Sequence, residues 1–204
     1  MDVLEAILRR RSVKQFDPDF RISAEDERKL LEATIQSPTS FNIQHWRFVI
    51  LRDPELRARI RREFGNDQSQ MTDASLLILL TADTRAWADR PERYWAKAPR
   101  EVADLLVGWM GPFHEGREWL QRDEAQRSIG MAAQTLMLAA TGMGLQSCPM
   151  IGFEIEKVAE LIQLPPHHVM GPMVAIGRGI KEPCLLYTSR SPRDATLSCM
   201  PSSA

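Results

Sequence analysis

The chain has 204 residues, 44% of them hydrophobic and 26% charged, the composition of one compact domain that can bury a core without staples. A net charge of −1 leaves no basic footprint for a nucleic-acid partner, and no apolar run approaches the roughly 20 residues of a membrane span. Three cysteines without metal-ligand spacing, and a beginning that lacks an apolar signal core, predict a reducing, cytoplasmic setting.

Val3, Leu4, Ile7 and Leu8 fall on one helical face and predict a first helix that runs into Arg9-Arg10-Arg11-Ser12. A second helix opens at Ser23, with Asp26 three residues on as a loose capping box, and Pro38 closes it. Trp46 to Leu51 reads as a strand. Asp53-Pro54-Glu55 supplies an N-cap, an N1 proline and an acidic first turn for a third helix. Arg57, Arg59, Arg61 and Arg62 lie on that helix, but Glu55 and Glu63 flank them and no basic stripe results.

Ser75 to Ala82, with Leu-Leu-Ile-Leu-Leu inside, suits a buried central strand. Residues 84–117 read as an excursion of short helices, because Gly108, Gly111-Pro112 and Gly116 interrupt any long period. A long helix follows from about Glu118 to Thr141, with Ile129, Ala133, Leu136, Met137 and Ala140 on its core face and Gly142 and Gly144 at its stop. A short helix around Glu154–Leu161 and a strand Val169–Ile176 complete the order. Helices and strands mix without regular alternation, which predicts an α+β fold. Residues 184–204 show neither helical nor strand period. They read as a disordered tail or as sequence foreign to the gene, so residues 1–183 are taken as the domain.

Four segments carry candidate chemistry. Arg10, Arg11, Ser12 and Lys14 put three cations and a hydroxyl into five residues, able to ligate a phosphate and set a charge beyond it. Taken alone, a solvated basic helix end is the plainer reading. Ser37-Pro38-Thr39-Ser40-Phe41-Asn42-Ile43-Gln44 places hydroxyls and amides on a tight loop before a strand, where they can grip a polar heterocycle; Ser, Thr and Asn also favour turns for their own sake. Asp67-Gln68-Ser69-Gln70 is a polar run that on its own needs no ligand. Pro149-Met150-Ile151-Gly152 follows the long helix and gives a backbone able to lie close against a flat ligand. Cys148 reads as small core packing. No Ser-His-Asp set, metal cluster or carboxylate pair stands out, and His167-His168 reads as a loop.

Together these segments resemble the FMN-dependent nitroreductases. The resemblance rests on Arg-Arg-Ser-x-Lys, then Ser-Pro-Thr-Ser-x-Asn-x-Gln-x-Trp, then Gly-Met-Gly-Leu…Pro-x-x-Gly-Phe after a long helix, in order from residue 1 to about 183. It implies a central, mainly antiparallel sheet flanked by helices, in an intertwined homodimer with two FMN sites at the interface and NAD(P)H as co-substrate. It further implies that hydride passes through the flavin to nitroaromatics, quinones or other small electron-poor acceptors in a ping-pong cycle.

By the same resemblance Arg10 and Ser12 meet the phosphate, with Arg11 beside them, and Lys14 lies near flavin N1 and O2. Pro38, Thr39, Ser40 and Asn42 reach the flavin from the partner subunit. Asp67 and Gln70 hold the ribityl chain and pyrimidine edge. Pro149, Met150, Ile151 and Gly152 line the ring, and Trp109 and Phe113 belong to the excursion that covers its open face. Two departures stand out. Gln70 occupies a position where some members carry a second lysine, and the family's terminal phosphate-site cations are replaced by the irregular tail. Reduction of an enoate or halogenated acceptor on the same scaffold, or an FMN-binding module without turnover, are the alternative readings.

Overall fold

The computed structural model describes residues 1–181; the tail 184–204 lies outside the described residues. Four strands form one antiparallel sheet: β1 (Trp46–Ile50), β2 (Leu76–Asp83), β3 (Gln146–Met150) and β4 (His168–Gly177), in the order β1-β2-β4-β3. Sequence-adjacent β1 and β2 pair directly, with Phe48 opposite Leu80, while β4 lies between β2 and β3, with Ile78 opposite Val174 and Cys148 opposite Ala175.

The central strand explains the two-layered core. Alternate residues of a strand face opposite sides, and in β2 both sides are apolar. Leu77 and Leu79 join Met173, Ala175, Cys148 and Met150 on one face, whereas Leu76, Ile78, Leu80 and Ala82 join Val174 and Ile176 on the other. The second face is covered by α2 (Ala24–Thr34) and by the long α6 (Glu118–Gly142). Ile129, Ala133, Leu136, Met137 and Ala140 all point into it, as their spacing predicts. Gly171 is required where α6 crosses β4: a Cβ there would stand 2.3 Å from Ile129 Cγ2. The first face is closed by Ile60, Met71, Val158 and Phe153, from the region of α3 (Pro54–Arg59), α4 (Gln70–Asp73) and α7 (Ile155–Leu161).

The helix starts are as expected. Ser23 Oγ accepts from Asp26 N at 3.0 Å and Asp53 Oδ1 from Glu55 N at 2.9 Å. After α6 the chain turns through Gly144, whose φ of +78° suits glycine.

Two expectations need correction. The excursion contains α5 (Arg100–His114), a continuous helix of 15 residues, not short pieces. Gly108 and Gly111 lie inside it with open space where a Cβ would be, and Pro112 sits in the last turn, so none of them stops it. Second, Gln146–Met150 forms β3, which the proline and glycines nearby concealed; Pro149 stands on the sheet's outermost strand, where a missing N–H costs least. The expected first helix is α1 (Val3–Arg9); it buries only Ala6, and its apolar row is exposed: Val3 70%, Leu4 73%, Ile7 48% and Leu8 65%.

Candidate functional site

The first candidate segment runs along the outer edge of the sheet. Ser12 forms a parallel bridge with Ser147 of β3, and Val13 N donates to Ser147 O at 3.1 Å. Farther on, Phe16 bridges Gly179 and Ile180 N donates to Gln15 O at 3.0 Å. Val13 and Phe16 are buried while Ser12 and Lys14 are exposed, so the seam anchors by its apolar residues and presents its polar ones.

Its cations are not equivalent. Arg11 turns back and donates through Nη1 to Leu8 O at 2.6 Å and Arg10 O at 2.8 Å, capping the end of α1. Arg9 pairs with Glu5 at 2.8 Å. Arg10 and Lys14 form no ion pair among the described residues. A cleft of about 560 Å³ opens beside Arg10, with Arg9, Arg11, Gln146 and Lys181 also on its wall. Burial pushes the Cys148 thiol above its ordinary pKa, against the opposing pull of Lys14, the Gln70 amide and Arg10. The field of both unpaired cations therefore reaches the middle of β3.

The third and fourth segments meet the same strand. Asn66 Nδ2 donates to Gly152 O at 3.0 Å and Gln68 Nε2 to the same oxygen at 2.9 Å. Gln70 is buried beneath them, donating to Gln68 Oε1 at 3.2 Å and lying 4.0 Å from Cys148 Sγ. Two amides thus fix the backbone just past β3, while Ile151 stays 69% exposed. Sequence reasoning missed Asn66 and passed over Gln68. Asp67, singled out from the same polar run, turns its carboxylate to Arg61 at 2.7 Å. Asn66 and Asp67 both take positive φ, and that turn decides which side chains face Gly152. An asparagine directly after Gly65 was the available signal.

The second segment stands apart. No hydrogen bond among the described residues joins 38–44 to 10–14, 66–70 or 149–152. Its own bonds are internal or lead to the excursion and to β1: Gln44 N donates to Thr39 Oγ1 at 3.0 Å, Asn42 Nδ2 donates to Tyr94 O at 2.9 Å, and Gln44 O accepts from Arg47 Nη1 at 3.0 Å. Pro38 is exposed and Ser40 partly so. Phe41, Asn42 and Gln44 all have φ between 50° and 55°, a concentration of left-handed backbone that local sequence does not favour and that surrounding contacts must hold. One such contact comes from the excursion, where Phe113 packs on Phe41 with ring centroids 5.3 Å apart. Trp109, one turn earlier on α5, is 56% exposed. The candidate residues therefore fall into two separate groups, one along β3 and one on the loop before β1.

Among the described residues no group of three or more His, Cys, Asp or Glu side chains is placed to hold a metal ion, and no helix is long and apolar enough to cross a membrane.

Comparison with known proteins gives a consistent result. The model described as Nitroreductase family matches residues 7–178. The chain is 62% identical over 192 residues to protein DrgA of Synechocystis sp. (strain ATCC 27184 / PCC 6803 / Kazusa), covering 94% of this chain and 91% of that protein. It is 28% identical to a Bacillus subtilis (strain 168) protein assigned as the NAD(P)H nitroreductase YodC, covering 89% and 90%. Among solved structures it is similar to the FMN complex of a protein assigned as a nitroreductase from Exiguobacterium sibiricum 255-15. The TM-score there is 0.82 at 26% identity, over 90% of this chain and 92% of the other.

Proposed function

Since this chain belongs to the nitroreductase family, we propose that the seam along β3 and the loop 38–44 are two halves of one flavin site, completed between two copies of the chain. The protein is an NAD(P)H-dependent flavin oxidoreductase, and FMN is its cofactor. The observation that carries the site assignment is the pair of cations, Arg10 and Lys14, left without carboxylates on either side of the Ser12 hydroxyl. This donor set suits a phosphate followed by a polar, electron-accepting ring.

FMN, when bound, accepts hydride from NAD(P)H and passes it to an acceptor. The residues supply the rest. Arg10 and Ser12 hold the phosphate end, and Arg11 stiffens the turn that aims them. Lys14 stabilises negative charge on the pyrimidine edge, a role that preorganised cations fill effectively where water is excluded. Gln70 and Asp67 flank the same side, with Gln70 as a neutral donor. Asn66 and Gln68 fix Pro149-Met150-Ile151-Gly152, so that this backbone presents one conformation to the ring. Pro38, Thr39, Ser40 and Asn42 come from the partner subunit, and Trp109 and Phe113 shape the acceptor's side. The reaction follows a ping-pong order, with nitroaromatics and quinones as acceptors.

The homodimer is part of this reading. The separated half-sites support it, as does the row of exposed Val3, Leu4 and Leu8 beside the seam, a contiguous apolar surface that a monomer seldom leaves uncovered. The cytoplasm, which supplies NAD(P)H, is the proposed setting.

The test is a visible spectrum of the purified protein, followed by steady-state kinetics with a quinone and a nitroaromatic. One flavin per subunit, released as FMN, and parallel double-reciprocal plots are expected. A colourless protein that FMN does not titrate would sink the site assignment. Intersecting plots would remove the ping-pong order.

A further inference from the structure

Far from β3, three arginines converge on a second cleft. It has a volume of about 290 Å³, and its wall carries Arg21, Arg52 and Arg57 with no carboxylate among the lining residues. Arg57 is the unusual member. It is only 8% exposed, and no acidic side chain bonds it. Its Nε donates to Met71 O at 2.6 Å and Nη2 to Ala74 O, so two of its three nitrogens clasp the carbonyls of α4. The third, Nη1, has no hydrogen-bond partner among the described residues, yet it is not among the buried polar atoms left unsatisfied, so it keeps access to the cleft.

The surrounding charges sharpen the point. Burial first, and then the like charge of Arg21, lower the Arg57 pKa, with Asp73 opposing from the other side. Asp73 is itself engaged, accepting from Thr72 Oγ1 at 2.7 Å and lying 4.0 Å from Arg61 Nη1. Arg52 is neutralised from outside the cleft by Glu27. Among the described residues Arg21 donates only to the main-chain carbonyls of Pro18 and Phe20. Two guanidiniums therefore share a partly enclosed space with no counter-charge between them. Burying unpaired charge is costly, and an oxyanion bridging Arg21 and Arg57 removes the repulsion and occupies Nη1. Ile50, Leu51, Pro54, Ala74 and Leu76 give the wall an apolar side, with the hydroxyl residues Thr72 and Ser75 beside them.

We infer that this cleft is a binding site for a small phosphate-bearing organic molecule, its phosphate held between Arg21 and Arg57 and its apolar part against Pro54 and Leu76. It is separate from the Arg10–Lys14 seam, and no member of the flavin site lines it.

The test is a titration of the FMN-saturated protein, so that the flavin's own phosphate site is filled. The probes are inorganic phosphate and phenyl phosphate. The readout is the Arg57 Nε–Hε resonance, shielded by its bond to Met71 O and assigned by its loss in Arg57→Lys. Both probes should shift this signal saturably, phenyl phosphate at lower concentration. Arg21→Gln, an exposed substitution that spares the core, should weaken both by about tenfold, the scale of one charge-assisted hydrogen bond. A signal that stays still at tens of millimolar probe overturns the inference. So does an unchanged affinity in Arg21→Gln, or equal affinity for the two probes, which would mean an adventitious ion only.

Discussion

Arg10 and Lys14 stand on either side of Ser12 in one extended segment, and the proposed site gives them opposite signatures. Arg10→Ala should weaken FMN binding by about 1.5–3 kcal/mol, the scale of a charge-assisted hydrogen bond, while turnover at saturating FMN changes less. Flavin titration and saturated rates separate the two, and a collapse of turnover at unchanged affinity would contradict the phosphate role. Lys14→Met should instead lower the flavin potential and slow its reduction with affinity largely kept; a redox titration that matches wild type removes Lys14 from its place. A third residue, His45, governs stability. Its ring is fully buried, with Nδ1 3.1 Å from Ser128 Oγ and Nε2 without a partner. Burial first, then the charge of His114, lower its pKa from 6.5 to about 4. Below pH 6.5 the unfolded chain takes up a proton that the folded one refuses. Stability from the neutral ring is therefore complete above that pH and is lost as pH falls towards 4, by about 3 kcal/mol at most. His114, also lowered by burial, adds in the same direction. Urea midpoints between pH 7 and 4.5 should fall steeply in wild type and less steeply in His45→Gln; equal slopes would exclude His45 as the source.

At the scale of elements, segments with an unbroken period or a cap signal were legible, and segments interrupted by proline and glycine were not. The apolar run of β2 and the core face of α6 bury what their spacing predicts, because each is long enough to average over local exceptions. The Ser23 and Asp53 caps were legible for a different reason, since a cap is a single hydrogen bond with a single sequence signature. β3 was not. Its five residues carry a proline, and their sheet position comes from pairing with β4 rather than from any alternation of their own. α5 was misread through Gly108, Gly111 and Pro112, since a helix with one exposed side tolerates all three where nothing packs above them. The site shows the same division. The motif Arg10-Arg11-Ser12-x-Lys14 marks the seam, but which arginine caps a helix and which stays unpaired depends on the turn after α1. Likewise Asn66 and Gln68 reach Gly152 only because two successive residues adopt positive φ.

For the whole molecule, the exposed row on α1 predicts association. Leu4→Asp combined with Leu8→Asp should cost about 6–12 kcal/mol across a twofold interface, because each leucine is worth about 1.5–3 kcal/mol and both copies lose two. On the proposed reading, light scattering should then show a monomer at concentrations where wild type scatters as a dimer, and the monomer should hold flavin poorly, because the proposed site needs loop 38–44 from a second copy. A double variant that remains dimeric would place the interface elsewhere. The seam itself has a temporal meaning. Ser12 and Phe16 find their partners at Ser147 and Gly179, so the seam closes a loop spanning nearly the whole described chain. Such long-range contacts carry a large closure entropy and tend to form late. During synthesis the segment around Ser12 and Phe16 must wait for β3 and β4 before it can settle. In the finished protein they should also be the first to open, so the Val13 amide, bonded to Ser147 O, should exchange with solvent sooner than the amides of β2. Cofactor uptake and the last step of folding would then be a single event at the outer edge of β3.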